Sequence, residues 1–181
     1  MRVLRFPAGA ELVSEMERAI GGDAGVHPIP WVTLVTELVE SNLAQWELED
    51  VTRDPSASDE LVANAKRGID RLNIGRHRLV EQVDAWIAAG LEQSAHAPLA
   101  TESPGMVLDR LSVLVIRRVR TEAATASQPD YSERLPELRA RIDALTSAFD
   151  SYMEELQAGS RQFLPYEHFK LYVFGAADDG V

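Results

Sequence analysis

The chain contains no cysteine. That absence excludes disulfides, thiolate nucleophiles and cysteine-ligated zinc, and it fits a reducing cytoplasm, the expected location. Long apolar runs are missing too: no stretch approaches the roughly 18 apolar residues of a membrane span. Met1-Arg2-Val3-Leu4-Arg5-Phe6-Pro7 holds no apolar run of signal-peptide length. A soluble chain without a membrane partner is expected. Basic charge is scarce, with 18 Lys and Arg against 29 Asp and Glu and a net charge of −11. Such a surface repels nucleic acid, so no nucleic-acid partner is expected. The densest basic patch, Arg117, Arg118 and Arg120, falls near a helix end. Cations serve the macrodipole there, and the patch is read as structural.

Familiar catalytic signatures are absent as well. There is no GxSxG, P-loop or GxGxxG, and Gly21-Gly22-Asp23-Ala24-Gly25 lacks the lysine of a phosphate loop. The histidines, at 27, 77, 96 and 168, form no HxxxH or HExxH pair. No histidine metal centre and no cofactor are expected.

What is present is a helical pattern. With 181 residues, 45% of them apolar, the chain is long enough to bury one full core. The reading is a single domain, 1–181: an N-terminal helix and loop over 1–30, a bundle over 31–160, and a C-terminal strap and tail over 161–181. A first helix from about Ala10 to Ile20 ends at Gly21-Gly22. A second runs from about Trp31 to Arg53 and is stopped by Asp54-Pro55. A third, about Asp59 to Leu91, returns antiparallel to form a helical hairpin. Ser103-Pro104, an N-cap serine with proline at the first helical position, opens a fourth helix to about Thr125. A fifth starts at Tyr131 or Leu135, with Pro136 arguing for a late start, and ends at Gly159. Phe163, Tyr166, Phe169, Tyr172 and Phe174 make an aromatic strap that packs back as a short helix or extended segment, before a frayed 176–181. The fold class is all-α: an antiparallel bundle of four to six helices built on a long helical hairpin.

The third helix carries the main chemical signal. Lys66, Asp70, Asn73, His77 and Asp84 follow spacings of four, three, four and seven, so they share one face. An apolar stripe with Arg76 set into it runs alongside. Charge at the edge of a core is costly unless it is paired or used, so a polar chamber between helices is expected. In an antiparallel hairpin Trp46 and Glu49 approach Lys66, Asp70 or Asn73, and Asp50 and Arg53 stand nearby. The competing reading is a hydrogen-bonded ion network that fixes helix register. A second constellation is Thr101-Glu102-Ser103-Pro104 with Asp109, Arg110 and Ser112, where a capped helix N-terminus can face an anion.

Carboxylates three apart, Glu37 with Glu40, Glu47 with Asp50, and Glu81 with Asp84, resemble the Mg²⁺-binding pairs of all-helical nucleoside triphosphate pyrophosphohydrolases. Helix geometry argues against that reading. Asp84 lies eighteen residues beyond Lys66, roughly 27 Å along the axis at about 1.5 Å per residue. Glu49 and Asp50 sit at the opposite end of the hairpin. No metal is expected.

Several segments resemble a bacterial family, domain of unknown function 4254. They are Gln45-Trp46-Glu47-Leu48-Glu49-Asp50 with Arg53-Asp54-Pro55, then Lys66-Arg67, Ile69-Asp70, Asn73 and Arg76. Glu81, Asp84, Thr101-Glu102-Ser103-Pro104, Asp109-Arg110-Leu111-Ser112, Ala158-Gly159 and Lys170-Leu171-Tyr172 continue the match. It spans residues 31 to 172 and departs at Glu47, where histidine is frequent. Glu37 and Glu40 lie outside the motif. The resemblance implies a helical protein with no established activity, whose charged motif residues coincide with the polar stripe.

The leading expectation is a small polar ligand, phosphorylated or sugar-containing, bound in a charged inter-helical pocket, with the chain an enzyme of glycan or small-molecule biosynthesis. Trp46 would be the wall. Arg53, Lys66, Asn73, Arg76, Ser103, Arg110 and Lys170 would hold the ligand. Glu49, Asp50, Asp70 and Asp109 would act on protons. The alternatives are a non-catalytic structural protein, a homodimer mating through Trp31, Trp86 and the tail aromatics, and the Mg²⁺-dependent pyrophosphohydrolase.

Overall fold

Serine side chains cap the N-termini of two of the helices, and prolines stand in the first turns of others. The computed structural model describes residues 6–23 and 29–168. Its helices are α1 (Gly9–Ile20), α2 (Pro30–Arg53), α3 (Asp59–Ala89), α4 (Pro104–Ala124) and α5 (Leu135–Gln157), with a 3₁₀ segment, Pro129–Arg134, leading into α5. No β-strand occurs among the described residues. Ser58 Oγ accepts from Leu61 N at 3.2 Å and Ser103 Oγ from Met106 N at 3.3 Å, so each serine covers an otherwise unpaired amide. Pro55 holds Asp54 extended at the end of α2. The Asp54 carboxylate then accepts both Ser56 N (2.8 Å) and Ser56 Oγ (2.6 Å), which shapes the turn to α3 and lowers the Asp54 pKa. Pro136 falls in the first turn of α5, where its missing N–H costs nothing.

The helices form an antiparallel bundle around α4, which packs against α1, α2, α3 and α5. Leu111, Val115 and Ile116 are at most 1% exposed and meet Leu12, Met16, Leu38, Val39, Val83, Ile87 and Phe149 in one core. α2 touches α3, α1 and α4, so it is apolar on more than one side rather than along a single stripe. The α3–α4 crossing is unusually close. A Cβ on Gly105 would lie 2.7 Å from Val80 O, and the Gly105 N–H donates to Asp84 Oδ1 at 2.7 Å. Glycine is what lets the two backbones meet.

The strap is extended where it is described. Gln162 pairs with the 98–100 segment, and Phe163 is buried. Tyr166 N donates to Asp84 Oδ2 (2.8 Å) and His168 N to Glu81 Oε1 (3.0 Å), so the strap runs back along α3. Phe169, Tyr172 and Phe174, and the tail beyond them, lie outside the described residues. Trp31 and Trp86, expected to be left over for a partner, pack on the core of their own chain, with Phe6 edge-on to Trp86 at 5.3 Å.

Candidate functional site

One polar network ties three helices together. Arg76 (α3) donates through Nη1 to Asp109 Oδ2 (α4) at 2.6 Å and through Nη2 to Asn73 Oδ1 at 3.3 Å. Asn42 (α2) donates to Asp109 Oδ1 at 2.8 Å and lies 2.7 Å from Ser112 Oγ. The Ser112 hydroxyl donates to Asp109 O at 2.8 Å. The Arg76 and Asp109 side chains keep 24% and 17% of their exposure, so the pair is shielded but reachable from one side. The network bridges α2, α3 and α4 and fixes the guanidinium of Arg76 in place.

Beside it open two clefts. The larger, about 690 Å³, lies where α2, α4, the 3₁₀ segment and α5 converge. Its walls carry Arg117 and Arg120 from α4, Arg134 from the 3₁₀ segment and Arg141 from α5, with Tyr131 and Trp46 as aromatic surfaces. Four guanidiniums face two carboxylates, Asp50 and Glu137, in a chain whose net charge is −11. Arg120 pairs with Glu47 (2.6 Å) and Arg141 with Glu137 (2.6 Å), while Arg134 stands over the Tyr131 ring at 4.9 Å. Among the described residues Arg117 has no carboxylate partner. The smaller cleft, about 370 Å³, shares Trp46 and Arg117 and continues along α2 past Asn42, Gln45 and Glu49 to Arg53 and Arg76. The two are lobes of one groove.

The predicted residues divide accordingly. Trp46, Glu49, Asp50, Arg53 and Arg76 line the groove. Asn73 and Asp109 hold Arg76 from behind. Lys66 and Asp70 are exposed and line neither lobe. By spacing they share a face with Asn73, but this part of α3 buries only the adjoining Ala65, Gly68 and Ile69, with Gly68 against Leu48 of α2. Ser103 is a buried cap, and Arg110 is exposed and pairs with Glu102 at 3.1 Å. Neither joins the groove. Lys170 lies outside the described residues.

The arginine patch also needs correcting. The last turn of α4 contains no basic residue, so the macrodipole account does not apply. Arg118 turns toward α1 and pairs with Glu17 (2.6 Å) and Glu122 (2.8 Å). Arg117 and Arg120 face the groove instead. Their partners Arg134 and Arg141, with Tyr131 and Gln45, were missed. Only tertiary packing brings three separate elements to one end of the bundle.

The remaining polar stripe anchors the strap. Asp84 is fully buried and its carboxylate accepts from Gly105 N and Tyr166 N. Burial pushes its pKa up against the opposing hydrogen bonds of Ser103, Tyr166 and Gly105. Burial and nearby charge, that of Asp84 foremost, push Tyr152 up as well. The His77 ring stacks on His168 at 4.1 Å, and Tyr166 Oη lies 2.7 Å from its Nδ1. Burial, then the His168 and Arg76 charges, lower the His77 pKa, with Asp109 and Glu81 opposing. Glu37 and Glu40 are exposed, and no cluster of three or more His, Asp or Glu among the described residues is placed to hold a metal ion. No described helix is long and apolar enough to cross a membrane.

No curated protein and no solved structure matches the chain. One family does, over residues 32–164, a span that takes in α2 through α5 and with them every described wall of the groove. The chain therefore belongs to the family described as "Protein of unknown function (DUF4254)".

Proposed function

We propose that the chain binds a small phosphate-bearing molecule in the arginine-lined lobe of the groove. One observation carries this reading: four guanidiniums from three elements converge on a single cleft of an otherwise acidic protein. Guanidinium geometry matches phosphate oxygens in pairs, and a volume of about 690 Å³ suits a metabolite-sized ligand. Trp46 and Tyr131 supply flat apolar walls beside the charge. The carboxylates of the groove are tied to arginines, Glu49 and Asp50 to Arg53, and Glu137 to Arg141. Such pairing favours a binding role for this site over proton transfer.

Isothermal titration calorimetry with inorganic pyrophosphate tests the reading. Binding that weakens as salt rises and is lost in Arg117→Glu is the expected result. The reading fails if no phosphate compound binds, or if Arg117→Glu and Arg134→Glu leave the affinity unchanged.

A further inference from the structure

Trp46 from α2 and Arg117 from α4 are the two residues common to both lobes of the groove. In the smaller lobe Arg53 is paired with Glu49 and Arg76 with Asp109. Arg117 is exposed and, among the described residues, has no carboxylate partner. The unpaired charge of that lobe therefore sits at the junction, next to the arginines of the larger one. An anion drawn to Arg117 has the organic part bonded to it beside Trp46.

Trp46 stands apart from the other large rings. Trp31 and Trp86 line neither lobe, and Tyr131 already carries the Arg134 guanidinium over its ring at 4.9 Å. Trp46 packs on the core yet stays partly exposed in the groove. No ring and no cation among the described residues is stacked on it. A flat ring stacked on such a face strengthens binding about tenfold or more, whereas a bare phosphate leaves it unused. Val113 adds an apolar wall in the same lobe. Glu49, whose Oε2 holds Arg53 at 2.9 Å, keeps Oε1 to accept from an amino or ring N–H group, and its charge repels phosphate. Nucleobases offer what these walls ask for, a π face with N–H groups at its edge.

Building on the phosphate-site reading, we infer that the ligand is a nucleoside phosphate. Its base stacks on Trp46 in the smaller lobe, beside Val113 and Glu49, and its phosphate lies among Arg117, Arg120, Arg134 and Arg141. The arginines supply charge attraction, and Trp46 distinguishes a nucleotide from other phosphate esters. A net charge of −11 acts against long polyanions, so the fit is a free nucleotide rather than a nucleic-acid strand.

Calorimetry on the full chain separates this inference from the reading beneath it. The common ribonucleoside 5′-monophosphates are compared with ribose 5-phosphate, which keeps sugar and phosphate but lacks the base, and with inorganic pyrophosphate. At least one nucleotide is expected to bind about tenfold or more tighter than ribose 5-phosphate, the equivalent of one stacked base. Trp46→Leu, which keeps an apolar residue against the core, is expected to bring that ratio toward one, and Trp46→Phe to retain part of it. The ligand comparison on the unaltered chain stands whether or not a variant folds. If pyrophosphate binds and responds to Arg117→Glu, but no nucleotide outcompetes ribose 5-phosphate, the nucleotide inference is overturned and the phosphate site survives. A ratio unchanged in Trp46→Leu overturns it too, as does a single-stranded oligonucleotide that binds tighter than every free nucleotide. If no phosphate compound binds at all, both readings fall.

Discussion

Arg76 reaches from α3 to Asp109 on α4 at 2.6 Å, and the same carboxylate accepts Asn42 of α2 at 2.8 Å. One aspartate thus joins three helices behind the smaller lobe of the groove. The same atoms that brace the three helices hold Arg76 toward the groove.

Removing the shared acceptor should be felt in stability. Asp109→Ala leaves the Arg76 charge shielded and unpaired and removes one of the two acceptors of the Asn42 amide, so a loss of about 2–3 kcal/mol is expected. Urea denaturation followed by circular dichroism measures it. A double-mutant cycle with Arg76→Ala should return a coupling of at least about 1 kcal/mol. Independent, additive losses would mean the pair is only a surface contact.

Two neighbouring arginines provide a sharper contrast. Arg117 faces the groove without a carboxylate partner among the described residues, whereas Arg118 is 15% exposed and bonded to Glu17 and Glu122. Arg117→Glu should leave the melting temperature nearly unchanged and abolish pyrophosphate binding. Arg118→Glu should cost about 1–2 kcal/mol, because it sets like charges together between α1 and α4, and should leave binding intact. Thermal melts and calorimetry on both variants decide the matter. Equal behaviour would show that the groove does not discriminate between them.

The helices could be read from local signals because their ends are chemically marked. Ser58, Ser103-Pro104 and Asp54-Pro55 act within a few residues of themselves, and Gly22 and Gly159 take φ of +79° and +67° at helix termini. The groove could be read only by half. Trp46, Glu49, Asp50 and Arg53 follow one another along α2 within a recognisable family motif. Arg117, Arg134 and Arg141 meet only because α4, the 3₁₀ segment and α5 fold back on one another. Spacing also could not tell which length of α3 is covered. α3 has 31 residues, and α4 meets its later turns, through Gly105 near Val80 and Asp109 at Arg76. Lys66 and Asp70 therefore remain in water while Asn73 and Arg76, on later turns, are drawn into the network.

The close crossing at Gly105 has its own consequence. In Gly105→Ala the new Cβ would meet Val80 O at 2.7 Å and Asp84 Oδ1 at 2.8 Å, and α3 backbone cannot yield as a flexible side-chain tip can. Separating α3 from α4 weakens the Gly105 N–H bond to Asp84 as well. A loss of about 2–3 kcal/mol is expected, seen as a lower urea midpoint. An unchanged midpoint would mean the crossing has slack.

Stability should also depend on pH through His77. Its folded pKa lies below the ordinary histidine value because burial and the His168 and Arg76 charges oppose protonation. The unfolded chain therefore takes up this proton first. Stability is lost as pH falls through about 6.5 and continues to fall until the depressed folded pKa is reached. Asp84 acts in the opposite sense. Burial raises its pKa, so protonation relieves a penalty as pH falls through that raised value toward the unfolded one. Around Tyr166 and His168 the remaining charges are Glu81 and Asp109, which favour the imidazolium without reversing the shift. Urea midpoints at pH 7.5 and 5.5 should therefore differ, with the protein weaker at 5.5. His77→Gln, which cannot take up a proton, should narrow that difference. Equal narrowing in a control variant at the exposed His96 would show that the stacked pair is not the source.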